Sequence, residues 1–227
     1  MTKIWRKAIE KKGVKDKSLA SWWKEFLIVC PSLISDWVKK ETYWLRENIK
    51  KGSIVLDVGC GRGEDLKAIA KIIKKGIGID NDPEITKIAR RNVARFKNIE
   101  VFLGDAKKMD FGDNIFDYVF VLGNTFGNFG KDKYKILREI KRVTKNNGKI
   151  IISVYSEKAL PVRMEGYIKV GLQIKKITKD GTVYTKDKIV SEQFSKGKIK
   201  EIFKKVGLNA KIIELNPISY ICEATKK

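Results

Sequence analysis

The chain of 227 residues contains no histidine. This absence excludes Ser-His and Cys-His nucleophile pairs and most catalytic zinc sites, because all of these use an imidazole. The chain has only three cysteines, Cys30, Cys60 and Cys222, which lie far apart in the sequence. Their spacing predicts neither a paired metal-ligand motif nor a disulfide framework. We therefore expect no metal site, and the chemistry must use other side chains.

Long uncharged apolar runs are also missing. The most apolar candidate, residues 19–38, is interrupted by Lys24, Glu25, Pro31 and Asp36. A helix that crosses a bilayer needs roughly 20 predominantly apolar residues. The first six residues lack both the apolar region and the small-residue cleavage site of a secretory signal. We therefore expect a cytoplasmic protein without a transmembrane segment.

Acidic residues are few relative to basic ones: 27 Asp and Glu stand against 49 Lys and Arg, which gives a net charge of +22. One interpretation is a basic surface that binds nucleic acid, such as RNA, or an anionic membrane. The other is a lysine-rich proteome, such as that of a heat-loving organism, although heat adaptation usually raises Glu together with Lys. The lysines are scattered along the chain, and both interpretations stay open. RNA is thus one candidate partner.

Residues 1–48 have a helical pattern. Trp22, Phe26, Val29 and Leu33 recur at helical spacing, and Pro31 is expected to end one helix or begin the next. All five tryptophans of the chain lie in this part. We predict an N-terminal helical cap that packs on the main domain; an alternative is that some of the indole rings line a substrate pocket.

Residues 49–227 are predicted to form the main domain. From Ser53 onwards short apolar runs alternate with amphipathic helices, which is typical of a parallel sheet covered on both faces. The predicted strands are Ile54–Val58, Gly76–Asp80, Glu100–Leu103, Phe116–Leu122 and Lys149–Tyr155. A turn at Asn147-Gly148 is expected to close the helix that precedes the fifth strand.

Residues 157–195 interrupt this alternation. Two apolar stretches, Leu172–Thr178 and Thr182–Thr185, flank Asp180-Gly181, and Asp-Gly is a strong hairpin signal. We therefore predict an inserted β-hairpin that could act as a lid. The last two strands, Ala210–Leu215 and Ser219–Ala224, have a short connection and are expected to pair antiparallel.

The turn after the first strand carries the strongest chemical signal. Asp57 is followed by Gly59, Gly61 and Gly63, and a helix begins immediately afterwards. Glycines let a ligand approach the backbone closely, and such turns at strand ends bind nucleotides and related cofactors. A nicotinamide dinucleotide site would need a third glycine where Glu64 stands. Asp57 adds negative charge, which suits a cationic ligand.

Two further strands also end in acids. Asp80 closes the second strand, where a carboxylate can accept both hydroxyls of a ribose. Asp105 and Ala106 follow the third strand, where an acid can accept from an exocyclic amine such as that of adenine. Acids at three successive strand ends predict a nucleoside-containing cationic ligand.

These motifs resemble those of the class I S-adenosylmethionine-dependent methyltransferases. The run Val55–Gly63 is similar to the family's first motif, Gly78-Ile79-Asp80 to its ribose-binding acid, and Gly104-Asp105-Ala106 to its adenine-binding turn. The resemblance covers about residues 50–156 and resumes over about 195–225. It implies a Rossmann-like α/β fold: a seven-stranded, mostly parallel sheet with an antiparallel last strand and helices on both faces.

The resemblance further implies the cofactor S-adenosylmethionine and its binding residues. Gly59, Cys60 and Gly61 would border the methionine part, with Asp57 near the amino group. Asp80 and Asn81 would hold the ribose. The remaining expected donor contacts are Asp105, Ala106, Leu122 and Gly123.

The loop after the fourth strand meets the acceptor in this family. Residues 123–129 lack both the Asn/Asp-Pro-Pro-aromatic motif of amide and base N-methyltransferases and a Pro-Cys pair. We therefore expect transfer to a nitrogen or oxygen of a small molecule or peptide, with an RNA methyltransferase or a non-catalytic donor-binding module as alternatives. Predicted acceptor contacts are Asn124, Asn128 and Tyr184, and Glu192 is the candidate proton acceptor.

Overall fold

The computed structural model describes residues 25–226, which are arranged around a seven-stranded sheet with a small three-stranded sheet beside it. The strands are β1 Ile54–Val58, β2 Lys75–Asp80, β3 Ile99–Leu103, β4 Phe116–Val121, β5 Thr144–Tyr155, β6 Ile174–Ile177, β7 Val183–Thr185, β8 Val190–Ser191, β9 Leu208–Asn216 and β10 Ser219–Lys226. The large sheet has the order β3-β2-β1-β4-β5-β10-β9. Strands β1 to β5 pair in parallel, whereas β10 is antiparallel to both of its neighbours. The predicted fold class is confirmed.

Helices cover both faces of the large sheet. They are α1 Ser32–Asn48, α2 Glu64–Ile69, α3 Pro83–Val93, α4 Thr125–Asn128, α5 Lys133–Val143, α6 Leu160–Lys169 and α7 Lys196–Lys205. Successive residues of β1 point to opposite faces, so Leu56 packs in the core beneath α5 and α7 and Val55 in the core beneath α2 and α3. Every helix within residues 25–226 is too short or too polar to span a bilayer.

The strand order reverses at β1. The chain runs outward through β2 and β3, and then returns to place β4 on the other side of β1. Because loops leave β1 and β4 in opposite directions at this point, a crevice opens at the carboxyl ends of the two strands. The topology therefore places the glycine-rich turn after β1 next to the loop after β4.

The role predicted for Asn147-Gly148 is wrong. Helix α5 already ends at Val143, and β5 begins directly at Thr144, so both residues lie inside this long strand. A Cβ atom on Gly148 would lie 2.9 Å from the carbonyl oxygens of Phe116 and Asp117. The glycine is therefore required for close approach of β4 and β5, and not for ending a helix.

Helix α1 belongs to the described part of the predicted N-terminal cap, and it packs on the sheet. It begins after Pro31, as expected, and buries Trp37 completely against Tyr155 of β5, with ring centroids 4.8 Å apart. The Asn216 side chain donates to the Leu33 carbonyl oxygen at 2.8 Å and so fixes the start of the helix to the end of β9. The predicted contributions of Trp5, Trp22 and Trp23 lie outside the described residues.

The insertion after β5 consists of α6 and the antiparallel strands β6, β7 and β8, and the hairpin expected around Asp180-Gly181 joins β6 to β7. A fully buried guanidinium holds these elements together. Arg163 of α6 donates to the carbonyl oxygen of Ser191 at 3.0 Å, to its hydroxyl at 3.1 Å and to the carbonyl oxygen of Gly181. The insertion is thus a packed unit.

We expect Trp37→Ala to lower the free energy of unfolding by about 3–5 kcal/mol, because it leaves a cavity where α1 meets the sheet. Urea denaturation followed by circular dichroism measures this change. Tyr43→Ala is the matched control: Tyr43 is on the same helix but 67 % exposed, so its loss should change stability by no more than about 0.5 kcal/mol. Equal stabilities of the two variants would contradict the proposed packing of the cap.

Candidate functional site

A cavity of about 810 Å³ opens where the loops after β1, β2, β3 and β4 converge. Its walls include every donor-binding residue expected from the sequence except Asp57. These residues are Gly59, Cys60, Gly61, Asp80, Asn81, Asp105, Ala106, Leu122 and Gly123. The cavity is large enough for a cofactor and part of an acceptor, since ligand pockets usually measure roughly 300–1,000 Å³.

The turn after β1 lies against the turn after β4. Gly59 has φ +73°, and a Cβ atom placed on it would lie 2.5 Å from Cγ2 of Thr125. The backbone N–H groups of Gly59 and Cys60 both donate to the carbonyl oxygen of Ile79, at 2.8 and 3.0 Å. A larger residue at position 59 would push these loops apart, so glycine is needed for the shape of the cavity.

Asp80 is held rigidly at the end of β2. Its two carboxylate oxygens accept hydrogen bonds from the backbone N–H groups of Gly61 and Asp82, each at 3.0 Å. Partial burial raises the pKa of this carboxyl, although the backbone hydrogen bonds oppose the shift. Each oxygen keeps acceptor capacity, and the side chain lines the cavity. The geometry suits a pair of ligand hydroxyls.

Asp57 lies in β1 and is only 1 % exposed. Its Oδ2 atom has no hydrogen-bond partner in the described part of the chain. Burial raises the pKa of this carboxyl well above its ordinary value, and the nearby Asp65 and Asp80 raise it further. The raised pKa favours the neutral form of Asp57, which lies beneath the glycine-rich turn without lining the cavity directly.

Glu41 of α1 is a cavity residue that sequence reasoning missed. It is 4 % exposed, lines the cavity, and its Oε2 atom has no partner among residues 25–226. Burial, reinforced by the nearby Asp65, raises the pKa of the Glu41 carboxyl to about 8. A signal was available, because Glu41 continues the buried stripe of Ile34, Trp37 and Leu45 and is its only acid.

Comparison with known proteins places this architecture in a family. A family model described as a methyltransferase domain matches residues 49–207, which include all four loops that build the cavity. The chain belongs to this family of methyltransferase domains. The family predicted from the sequence motifs is thereby confirmed.

Individual relatives of this methyltransferase domain agree with that placement. The chain is 34 % identical over 123 residues to a demethylmenaquinone methyltransferase of Staphylococcus carnosus; the match covers 52 % of this chain and 50 % of that protein. The chain thus spans about half the length of the curated relatives it matches.

Two crystal structures share the fold. A protein of Pyrococcus horikoshii has a TM-score of 0.71 at 22 % identity, covering 95 % of this chain and 100 % of that one. A SAM-dependent methyltransferase of Aquifex aeolicus has a TM-score of 0.65 at 20 % identity, covering 92 % and 98 %. These two likenesses show the fold of the chain.

A second, smaller cavity of about 50 Å³ adjoins the large one, with Gly123 and Asn128 lining both. Aromatic side chains of Phe26, Tyr155 and Tyr167 form much of its wall. Tyr155 is 1 % exposed, and its hydroxyl has no hydrogen-bond partner among residues 25–226. Asn128, one of the predicted acceptor contacts, therefore lines both cavities.

Asn124 adjoins the same small cavity, but its amide is already bonded to the protein. Its Oδ1 atom accepts from the backbone N–H of Tyr155 at 3.1 Å. Its Nδ2 atom donates to the Ser191 hydroxyl at 3.4 Å and to the Glu192 carbonyl oxygen at 3.3 Å. The structure thus gives Asn124 a fixed place between β5 and the insertion.

The structure does not bring the other two predicted residues into either cavity. The Glu192 carboxylate pairs with the Lys133 ammonium at 2.5 Å, and Glu192 is absent from both cavity walls. Tyr184 is 38 % exposed and is also outside both walls. Sequence spacing could not reveal these positions, because they depend on how the insertion folds back onto the main domain.

We expect Glu41→Gln to stabilise the ligand-free protein more at pH 8 than at pH 5. The folded protein keeps the Glu41 proton up to about pH 8, whereas the ordinary pKa is 4.5. The folded-state pKa is raised, so the stability linked to this carboxyl is complete below pH 4.5 and is lost as the pH rises through about 8. The side-chain amide of the Glu41→Gln variant does not ionise, so the variant does not lose stability in this way as the pH rises.

The melting temperature of Glu41→Gln should exceed that of the wild type by about 2–4 °C at pH 8, which corresponds to about 1 kcal/mol, and by less at pH 5. Differential scanning calorimetry measures both values. Glu47→Gln is the control on the same helix, because Glu47 is exposed and lines neither cavity. A melting difference that stays constant between the two pH values would contradict the assigned environment of Glu41.

Proposed function

We propose that this chain is an S-adenosylmethionine-dependent methyltransferase that acts on a small molecule. One observation carries the proposal: the turn at Gly59, the fixed carboxylate of Asp80 and the acid Asp105 meet in one cavity at the carboxyl ends of parallel strands. The residues present also fit the chemistry of this donor. Acidic side chains, among them Asp65, Asp80 and Asp82, line the cavity, and the donor carries a sulfonium cation.

Each part of the cavity has a proposed role toward the donor. Gly59, Cys60 and Gly61 border its methionine part, and Asp80 with Asn81 accepts from the ribose. Asp105 and Ala106 contact the adenine, while Leu122 and Gly123 cover the donor from the β4 side. When bound, S-adenosylmethionine supplies an electrophilic methyl group, and the protein orients the acceptor and excludes water.

The space beside the donor cavity supports a proposal for the class of acceptor. The adjoining small cavity is lined mostly by aromatic and aliphatic side chains such as Phe26, Tyr167 and Leu172. Such a wall favours an apolar or aromatic group over a phosphate backbone, although the net charge of +22 keeps RNA as a test case. The Staphylococcus relatives are named for demethylmenaquinone, which makes this quinone the first acceptor to test.

The deciding experiment supplies donor labelled in its methyl group to the purified protein together with separate acceptor pools. These are demethylmenaquinone, small amines and phenols, peptides, and total RNA. Label in a small molecule supports the proposal, and mass spectrometry then distinguishes a nitrogen or oxygen acceptor from a carbon acceptor. Label only in peptides or RNA, or donor binding without any transfer, would overturn it.

Asp80→Ala should weaken binding of the donor by roughly 10- to 100-fold, because hydrogen bonds from ligand hydroxyls to a charged acceptor are lost. Isothermal titration calorimetry measures the dissociation constant. Asp187→Ala is a suitable control, since Asp187 is exposed and lines neither cavity. Unchanged donor affinity in a folded Asp80→Ala protein, or binding of NAD in place of the donor, would contradict the assignment of the site.

A further inference from the structure

We infer that the hydroxyl groups of Tyr155 and Tyr167, backed by the guanidinium of Arg163, make the small cavity select an acceptor with a phenol or enol oxygen and bind it as its anion. This inference rests on the proposed function and deepens it, because it names the chemical class of the acceptor. It predicts methyl transfer to that oxygen, or to a carbon conjugated with it, and not to an amine nitrogen.

The direction of the hydrogen bonds at the Ser191 hydroxyl follows from its partners. The orientation of the Asn124 amide is fixed, because its Oδ1 atom accepts from the backbone N–H of Tyr155 at 3.1 Å. The Nδ2 atom of Asn124 therefore donates to Oγ of Ser191 at 3.4 Å, and Nη1 of Arg163 donates to the same oxygen at 3.1 Å. These two groups only donate, so they occupy both lone pairs of the hydroxyl. Ser191 must then donate its own proton to the Tyr167 hydroxyl oxygen, 2.9 Å away.

The two tyrosine hydroxyls hold more protons than residues 25–226 can accept. Tyr167 accepts from Ser191, so its own proton must be donated elsewhere. The Tyr155 hydroxyl is buried without a hydrogen-bond partner in the described part of the chain. Burial, reinforced by Tyr167, raises the pKa of Tyr155 well above its ordinary value, so this hydroxyl keeps its proton. Even if one tyrosine donates to the other, one proton still lacks an acceptor. Buried polar groups are nearly always paired, so a hydrogen-bond acceptor is missing here.

Arg163 places a positive charge behind these hydroxyls. Its side chain is fully buried, and its guanidinium carbon lies 5.2 Å from the centre of the Tyr155 ring. The groups that accept from it are neutral carbonyl oxygens and the Ser191 hydroxyl, and its Nε atom has no partner among residues 25–226. None of the salt bridges in that range involves Arg163, and the carboxylate of Glu192, whose carbonyl oxygen it binds, pairs with Lys133 at 2.5 Å. Because a guanidinium is always charged, its uncompensated potential favours an anion nearby.

The small cavity offers space for such a group. Tyr155, Tyr167 and Ser191 all line it, and its volume is about 50 Å³. One water needs roughly 10–15 Å³, so the cavity holds about three to five water-sized groups. This is room for the oxygen-bearing end of a ring, while the rest of the acceptor lies in the adjoining large cavity. Gly123 and Asn128 line both spaces, so the two ends of one molecule can occupy them together.

A phenol or enol oxygen fits these features better than an amine does. After ionisation it accepts from both tyrosine hydroxyls, and its negative charge is stabilised by Arg163, while the attached carbon skeleton suits the apolar wall. A protonated amine has only hydrogen-bond donors and a positive charge, and both are unfavourable beside hydroxyl donors and a guanidinium.

The proposed transfer balances without a protein base. The acceptor gives its proton to water on binding, and an electron pair of the anion forms the bond to the methyl carbon. The sulfur–methyl bond breaks, and its electron pair stays on sulfur. Arg163 acts on the acceptor through Ser191 and the Tyr155 ring, so it is a positioning residue.

The test measures the binding of 4-nitrophenol, whose anion absorbs visible light, with S-adenosylhomocysteine present to occupy the donor site without transferring a methyl group. We expect the apparent pKa of the bound phenol to fall by about 1 relative to the phenol in solution, because a nearby positive charge favours the anion. Tyr155→Phe keeps the ring and removes one hydroxyl, so it should weaken binding of the anion by roughly 10- to 100-fold. Tyr43→Phe is the control, since Tyr43 is exposed and lines neither cavity. The amine of similar shape, 4-nitroaniline, should bind weakly and equally to all three proteins.

The melting temperature of the ligand-free protein separates this role from a structural one. Tyr155→Phe should leave it unchanged or raise it, because the lost hydroxyl has no partner within residues 25–226.

Three results would overturn the inference: unchanged binding of the phenol by Tyr155→Phe, equally tight binding of 4-nitroaniline, or no binding of 4-nitrophenol by a wild type that binds S-adenosylhomocysteine. The first would mean that the hydroxyls bind only water. Failure of the wild type to bind either S-adenosylmethionine or S-adenosylhomocysteine in calorimetry would instead overturn the proposed function, so the two failures are distinguishable.

Discussion

The position of β1 between β2 and β4 is the constraint on which the site depends. Parallel strands on both sides bring the loops that follow them to one edge, and the backbone N–H groups of Gly59 and Cys60 bind the Ile79 carbonyl oxygen across that edge. The turn at Gly59 then fits against Thr125 only because it carries no side chain. The cavity thus depends on the order of the strands and on the close approach of the Gly59 backbone to Thr125.

The arrangement of loops around the cavity also buries two acidic side chains, and burying them costs folding free energy. Asp57 and Glu41 are almost completely buried, and burial and mutual repulsion raise the pKa of both carboxyls. A folded protein tolerates such groups where a ligand relieves the cost, which is common at functional sites. Helix α1 is held to the sheet by Trp37 and Asn216, so Glu41 cannot simply turn away into water.

The small cavity, where we propose that the acceptor binds, is built in a different way. There the insertion is fastened to the main domain by neutral and charge-assisted hydrogen bonds, through Arg163 within the insertion and Asn124 between the insertion and β5. The polar atoms of these side chains attach the insertion to the main domain. The small cavity beside them is lined mostly by apolar and aromatic groups. This division supports a polar, charged donor site beside a mainly apolar acceptor space.

The sequence by itself determined the sheet, the glycine-rich turn and the acids at the strand ends, because each depends on local periodicity or on a fixed offset from a strand. Only the tertiary structure decided that Glu41 joins the cavity, since this requires α1 to pack beside β5, where Trp37 contacts Tyr155, which is 118 residues further along the chain. It also decided that Glu192 pairs with Lys133, which is 59 residues away. Contacts of this kind arise from the packing of distant elements: a local pattern can mark a residue such as Glu41 as buried, but it does not reveal what the residue contacts.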